Sequence, residues 1–181
     1  KPRFDRAVAL PGFTEDEVLR LAASLDQNCR HPLAHVIVRA ARERGLVLGK
    51  ADGFEFCSGL GVRARVGGRP LALGNTSLMR QLGVSFEMLE PQAEALRAEG
   101  ASVMVLAVAG QPAGLLAVSD PIKASTAEAL NALKAAGIRV IMATGDGLTT
   151  AKAVAAKLGI DEVHGEAKPA DKLALVDRLQ R

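Results

Sequence analysis

The chain changes its hydrophobic pattern once, around SDPIKAS at residues 119–125, and this change constrains the fold more than any other feature. Before it, amphipathic helical stretches alternate with pairs of short strands; after it, helix, apolar strand and helix succeed one another singly. Helices interspersed with hairpins build an antiparallel sheet with helices packed on it, whereas strand–helix–strand order brings strands side by side in parallel. We therefore read an α/β chain in two parts, an antiparallel α+β domain over residues 1–118 and a parallel-sheet part over residues 119–181. With 49% hydrophobic residues in 181, a core can form.

The elements follow from local pattern. EDEVLRLAASL puts Val18, Leu21, Ala22 and Leu25 at helical spacing behind Thr14, an N-cap with Glu17 in the capping-box position. After Pro32 a second helix places Leu33, Ile37, Ala40 and Ala41 on one stripe and stops at Gly45. GVRARVGGRPLALGN alternates Val62, Ala64 and Val66 against Arg63 and Arg65 and turns at Gly67-Gly68, which is a hairpin. Helices are predicted over residues 76–82 and 87–100, and then a second hairpin turning over Gly110 to Gly114. Beyond Asp120, TAEALNALKAAG is a helix, IRVIMATG a buried parallel strand, TTAKAVAAKLG a helix, and DEVHG opens a further strand.

Composition excludes several functions. Lys and Arg number 23 against 20 Asp and Glu and are scattered, so no basic surface for nucleic acid is expected. Arg63, Arg65 and Arg69 are the densest basic group and read as the solvated face of a strand. Trp and Tyr are absent, leaving few rings for stacking along a nucleic-acid strand. Cys29 and Cys57 form no CxxC pair and read as free thiols of a reducing compartment. The longest apolar run, residues 101–109, is far shorter than the ~20 residues that span a bilayer.

Five short stretches carry chemistry. In CRHPLAH, Pro32 takes the first helical position and holds His31 in extended backbone, so the imidazole projects from the helix end. There it either caps the helix or stacks on a planar ligand, and Asp26, five residues upstream, is placed to meet an exocyclic amine or the histidine itself. His31 and His35 share the spacing of metal-binding helices, but the intervening glutamate is missing and His31 is not helical, so no metal site is read. SGLG and LALGN supply Gly59, Gly61, Gly74 and Asn75, either a turn entering a hairpin or a backbone that a ligand approaches closely. ATGDG sets Thr144, Gly145 and Asp146 after a parallel strand and before a helix, where α/β sheets bind ligands, or where Asp simply caps the helix. Lys172, in KPADK, can bring positive charge to the same crevice.

Taken in series, HPLA, ALGN, DPIK, ATGDG and PADK resemble the cytoplasmic ATP-binding region of P-type ATPases, especially the heavy-metal-transporting class, over nearly the whole chain. The resemblance implies that His31 lies against adenine, that Asp26 stands where the family usually has a glutamate, and that Gly59, Gly61, Gly74 and Asn75 shape the nucleotide pocket. It implies that Thr144, Gly145, Asp146 and Lys172 belong to a haloacid-dehalogenase-like phosphorylation domain. ATP with Mg2+ and ADP are the implied ligands, and membrane helices and an actuator domain of the same polypeptide the implied partners. The chain departs from the family where Cys29-Arg30 replaces a usual Ser-Glu, where Ala64 replaces a frequent glycine, and in having neither DKTGT nor GDGxND. Lys1-Pro2 resembles the residues immediately after DKTGT, so a fragment is expected: a whole nucleotide-binding domain and a partial phosphorylation domain lacking the phosphorylated aspartate, monomeric and inactive alone.

The full protein implied is an ATP-driven exporter, of Cu+ by preference or of silver, with this part on the cytoplasmic side of the plasma or inner membrane. The alternatives are a haloacid-dehalogenase-type phosphatase with an inserted cap, which would need a DxDx motif, and a non-enzymatic nucleotide-binding module.

Overall fold

A computed structural model describes residues 2–180, so Lys1 of the Lys1-Pro2 pair lies outside the described residues. In chain order the elements are β1 (Arg3–Ala9), α1 (Glu15–Asp26), α2 (Pro32–Glu43), β2 (Ala51–Cys57), β3 (Gly61–Val66), β4 (Arg69–Gly74), α3 (Thr76–Gln81), α4 (Glu90–Ala98), β5 (Ser102–Val108) and β6 (Gln111–Ser119). They continue with α5 (Ala124–Ala135), β7 (Ile141–Ala143), α6 (Leu148–Leu158), β8 (Glu162–His164) and α7 (Pro169–Leu179). The chain divides into two compact units, one ending at Ala93 and resuming over Val103–Asp120, the other made of Glu94–Ser102 and the residues from Pro121 onward.

The first unit is built on a six-stranded sheet in the order β1-β6-β5-β4-β3-β2. β1 pairs with β6, β2 with β3, β3 with β4 and β4 with β5, each antiparallel, as expected for strands joined by hairpins. α1 begins as its sequence dictates: the Thr14 hydroxyl accepts from the Glu17 N–H at 3.1 Å while the Glu17 carboxylate accepts from the Thr14 N–H at 2.8 Å. Val18, Leu19, Leu21, Ala22 and Leu25 are then buried in one cluster with Ala34, Ile37 and Ala41 of α2 and with Val62, Ala64, Val66, Leu71 and Leu73 of the hairpin. Arg63 and Arg65 lie on the other face, where Arg63 pairs with Glu55 at 2.6 Å, so this basic group is a strand's outer surface.

Three boundaries differ from the sequence expectation. The second hairpin turns at Ala109-Gly110, both at positive φ, and not over Gly110 to Gly114. Gly114 lies inside β6, opposite Ala9, where an added Cβ would sit 2.2 Å from the Val8 carbonyl oxygen. The helix expected over 87–100 is α4, which spans Glu90–Ala98. The strand expected from residue 138 is shorter, with Ile138 outside β7 and exposed.

In the second unit β7 and β8 pair in parallel, with Met142 opposite Val163, and α6 connects them. α6 ends in a left-handed Gly159, the C-cap that only a residue without Cβ adopts at low cost. Thr150 is buried and donates to the Ala101 carbonyl at 2.9 Å, so residues 101 and 150 of this unit are tied. Among the described residues, no helix is long and apolar enough to cross a membrane.

Candidate functional site

The N-terminus of α2 is where the first group of candidate residues gathers. Pro32 occupies the first turn, His31 is the N-cap with φ −72° and ψ 140°, and its Nδ1 accepts from the Leu33 N–H at 3.2 Å. The two readings of His31 are therefore compatible in one geometry: Nδ1 caps the helix while the residue as a whole remains exposed. An accepting Nδ1 requires the neutral ring to carry its proton on Nε2. Because His31 is extended, it does not share a helical face with His35.

Asp26 closes α1 five residues upstream and is 5% exposed. Burial alone pushes its carboxyl from the ordinary 3.8 up to about 7. That carboxyl makes no hydrogen bond or ion pair with a described residue, and His31 draws its bond from Leu33 instead. A buried carboxyl without a partner is costly to the fold, and such costs concentrate where a ligand supplies the missing partner.

The glycines of the hairpin mouth separate into two kinds. Gly61 and Gly74 face each other across β3 and β4, and a Cβ on either would meet the carbonyl of Leu73 or of Leu60 at 2.2 Å. Their small size is thus demanded by backbone meeting backbone. Gly59 is different: it is exposed at φ +71° with nothing within 4 Å of where a Cβ would stand. Asn75 joins the two regions. As N-cap of α3 its Oδ1 accepts from the Leu78 N–H at 3.0 Å, its Nδ2 donates to the Gly59 carbonyl at 2.9 Å, and its own N–H donates to the Leu60 carbonyl at 2.9 Å.

In the second unit, Thr144, Gly145 and Asp146 come after β7 and precede α6. The Thr144 hydroxyl donates to Asp146 Oδ2 at 2.9 Å and accepts from the Asp146 N–H at 3.1 Å. Gly147, not Asp146, is the N-cap of α6, and no side chain caps it. The first N–H groups of α6 therefore remain available, at the positive end of the helix dipole. The backbone of 164–167 braces the turn: Thr144 N–H donates to His164 O at 2.9 Å, Glu166 N–H to Asp146 O at 2.7 Å, and Ala167 N–H to Thr144 O at 2.8 Å. Lys172, in the second turn of α7, lines a cleft of about 360 Å3 with Ala143, His164, Gly165, Glu166 and Arg178. Lys172 and the Thr144–Asp146 turn thus stand at the same end of the β7–β8 pair, with cationic and N–H donors suited to phosphate.

Sequence reasoning misses the supports of these residues. Ser102 donates its hydroxyl to Asp146 Oδ1 at 3.3 Å from 44 positions away, and no local pattern announces it. The role of residues 164–167 has one legible sign in Gly165, where a Cβ would fall 2.8 Å from Leu148 Cα. The Leu33 N–H that holds the imidazole is a backbone group, invisible to residue typing.

Known proteins share this arrangement of elements. A family model described as haloacid dehalogenase-like hydrolase matches residues 8–181. A copper-transporting P-type ATPase of Rhizobium leguminosarum bv. viciae is 44% identical over 180 residues, covering 99% of this chain and 21% of that protein. A copper-exporting P-type ATPase of Legionella pneumophila subsp. pneumophila is 45% identical over 179 residues, covering 99% of this chain and 24% of that protein. The crystal structure of a zinc-transporting PIB-type ATPase in its E2.Pi state is similar at a TM-score of 0.66 and 29% identity, covering 99% of this chain and 29% of that one. The chain spans about a fifth to a quarter of the length of the curated relatives it matches. With a match across both units, the chain belongs to the haloacid dehalogenase-like hydrolase family and is homologous to a segment of the metal-transporting P-type ATPases.

Proposed function

We propose that this chain is the ATP-binding part of a heavy-metal exporter, Cu+ being the preferred cargo, that works through an aspartyl-phosphate. The observation that carries the reading is the His31 ring: exposed, fixed by the Leu33 N–H, and five residues beyond a buried, unpaired carboxyl. In this reading adenine stacks on His31, its exocyclic amine donates to Asp26, and the turn at Gly59 lies against the nucleotide. Gly61, Gly74 and Asn75 shape that pocket. Residues 1–118 form the nucleotide-binding domain and 119–181 part of the phosphorylation domain.

Within the second unit, Thr144, Gly145, Asp146 and Lys172 are suited to a phosphoryl group. Lys172 and the N–H groups of α6 offset the charge of a phosphoryl group, while Asp146 orders the Thr144 hydroxyl. Mg2+ arrives as part of the substrate, bound to the ATP phosphates. In the transfer step the bond from γ-phosphorus to the β-bridging oxygen breaks as a carboxylate oxygen–phosphorus bond forms, and ADP departs. In this reading the accepting aspartate, the membrane helices and the actuator domain lie elsewhere in the polypeptide, since these 181 residues contain no DKTGT sequence. The chain is then a cytoplasmic portion of an integral membrane protein. The copper-transporting relatives support the cargo.

Titrating ATP, ADP and AMP into the chain while monitoring His31 and residues 59–61 by NMR tests the site. We expect affinities between about 1 μM and 1 mM, roughly −8 to −4 kcal/mol, with the adenine-end shifts common to all three. Binding that depends on phosphate alone would replace this reading with a phosphatase of the same family. Steady ATP hydrolysis abolished by Asp146→Ala or Lys172→Ala would contradict a missing nucleophile.

A further inference from the structure

We propose that the outer face of α2 and the start of β1 form a docking surface for an acidic peptide segment that carries one apolar side chain. The surface lies within the first unit and shares no residue with the nucleotide site, so it stands independently of the nucleotide reading. His35, Arg39 and Arg42 follow one another at i, i+4 and i+7 of α2 and are all exposed, which makes one face of the helix a basic ridge. Arg42 forms no ion pair with a described residue.

Beside the ridge, between α2 and β1, is a cleft of about 240 Å3. Its floor is apolar: Val36 and Ala40 are buried and Phe4 is half-buried. Its rim sets the guanidinium groups of Arg3, Arg39 and Arg44 against the single carboxylate of Glu43. Two of these cations are loosely held. Arg39 Nε stands 3.8 Å from Glu43 Oε1 and Arg3 Nε 3.5 Å from Asp5 Oδ1, and both arginines are exposed. Exposed pairs of this kind contribute little, so either arginine can turn to an incoming carboxylate. Arg44 is different: it pairs with Asp16 at 2.8 Å and lies over the Phe4 ring, 5.5 Å from its centroid, so it braces the cleft.

The same features choose among partners. At about 240 Å3 the cleft is smaller than the ~300–1,000 Å3 of small-ligand pockets and suits a single side chain. A nucleic-acid strand would find positive charge but no free ring to stack on, because Phe4 packs on the core and under Arg44. A lipid surface would find nothing to insert, because the exposed large apolar side chains among the described residues include none from β1 or α2. An acidic segment brings what the surface lacks: carboxylates for Arg3, Arg39 and Arg42, and an apolar side chain for the floor.

Titrating a blocked peptide, EELEE, into the full chain and following the amides by NMR tests this. Saturable shifts are expected in residues 3–6 and 36–44, with a dissociation constant of about 1 mM or tighter. Binding should weaken several-fold between about 50 and about 500 mM salt. Arg39→Glu reverses a charge in the middle of the surface and should weaken binding about tenfold, and Arg39→Gln about threefold. Arg42→Glu, at a residue without an ion-pair partner, gives the same reading should Arg39→Glu disturb the fold. The peptide EEGEE, without the apolar side chain, should bind at least about threefold more weakly, and KKLKK should not bind. Absence of saturable shifts with EELEE at about 10 mM would overturn the proposal, as would equal binding of KKLKK or of EEGEE, or unchanged affinity in folded charge-reversal variants. A thymidylate strand or a phosphatidylserine vesicle that shifts these residues at lower concentration than the peptide would overturn it too, because the surface would then belong to nucleic acid or to membrane.

Discussion

Asp26→Asn should alter stability and binding in opposite directions as pH changes, and the size of the effect follows from burial. In the folded chain the Asp26 carboxyl ionises near 7, against 3.8 ordinarily, because burial disfavours its charged form. A folded-state value above the unfolded one means that the native chain holds the proton more tightly. The associated stability is fully present below about pH 4 and is lost as pH rises through about 7. The interval between 3.8 and about 7, at ~1.4 kcal/mol per pH unit, gives about 4 kcal/mol. Asn carries no charge at any pH, so its own burial contributes an offset that does not vary. The stability of Asp26→Asn relative to the parent should therefore rise by about 4 kcal/mol from pH 4 to pH 8. Urea unfolding monitored by far-ultraviolet circular dichroism at several pH values measures it. An amine of adenine donates only to an unoccupied lone pair and favours the ionised acid, so ATP affinity of the parent should increase toward pH 7 while that of the variant stays level. A stability difference flat to within about 1 kcal/mol across this range would refute the argument that burial without a partner governs Asp26.

The hairpin glycines should divide as their surroundings do. Gly61→Ala and Gly74→Ala must displace backbone 2.2 Å away and are expected to cost about 3 kcal/mol or more, whereas Gly59→Ala, with open space at φ +71°, should cost about 1–2 kcal/mol by thermal unfolding. His31→Asn keeps a cap but has no ring, and His31→Phe keeps a ring but has no acceptor. The first should spare stability and lose about 1–3 kcal/mol of ATP affinity, and the second should lose about 1 kcal/mol of stability and retain most binding. Calorimetry and melting curves on the same pair read both effects, and equal losses of affinity would argue against stacking.

The helices of this chain are legible because their causes are local. Thr14 and Glu17 announce the start of α1, Pro32 that of α2, and the apolar spacing in each is what the sheet buries. The hairpin β3–β4 is equally plain, since Val62, Ala64 and Val66 are buried with the arginines between them outside. β1 and β2 escape recognition, and the reason is physical: the register of β1 slips between Phe4 and Arg6, and that of β2 between Asp52 and Glu55. An irregularity of this kind interrupts the two-residue alternation by which a strand is recognised. At the site, residue types and order pick out His31, Asp26, Asn75 and the Thr144–Asp146 turn, but not what each one touches. Asp146, which the sequence allows as a cap of α6, instead orders Thr144, while Gly147 caps. Partners contributed by backbone groups and by residues distant in sequence, such as Leu33 N–H and Ser102, leave no trace in local pattern.

β1 and β2 are also the two outermost strands of the six-stranded sheet. Each pairs within the sheet on one side only, and each is irregular where its register slips. An irregular border cannot template a neighbouring strand over any length, so the sheet is guarded at both margins against edge-to-edge aggregation. Solubility should therefore suffer most from substitutions that straighten Asp52 to Glu55.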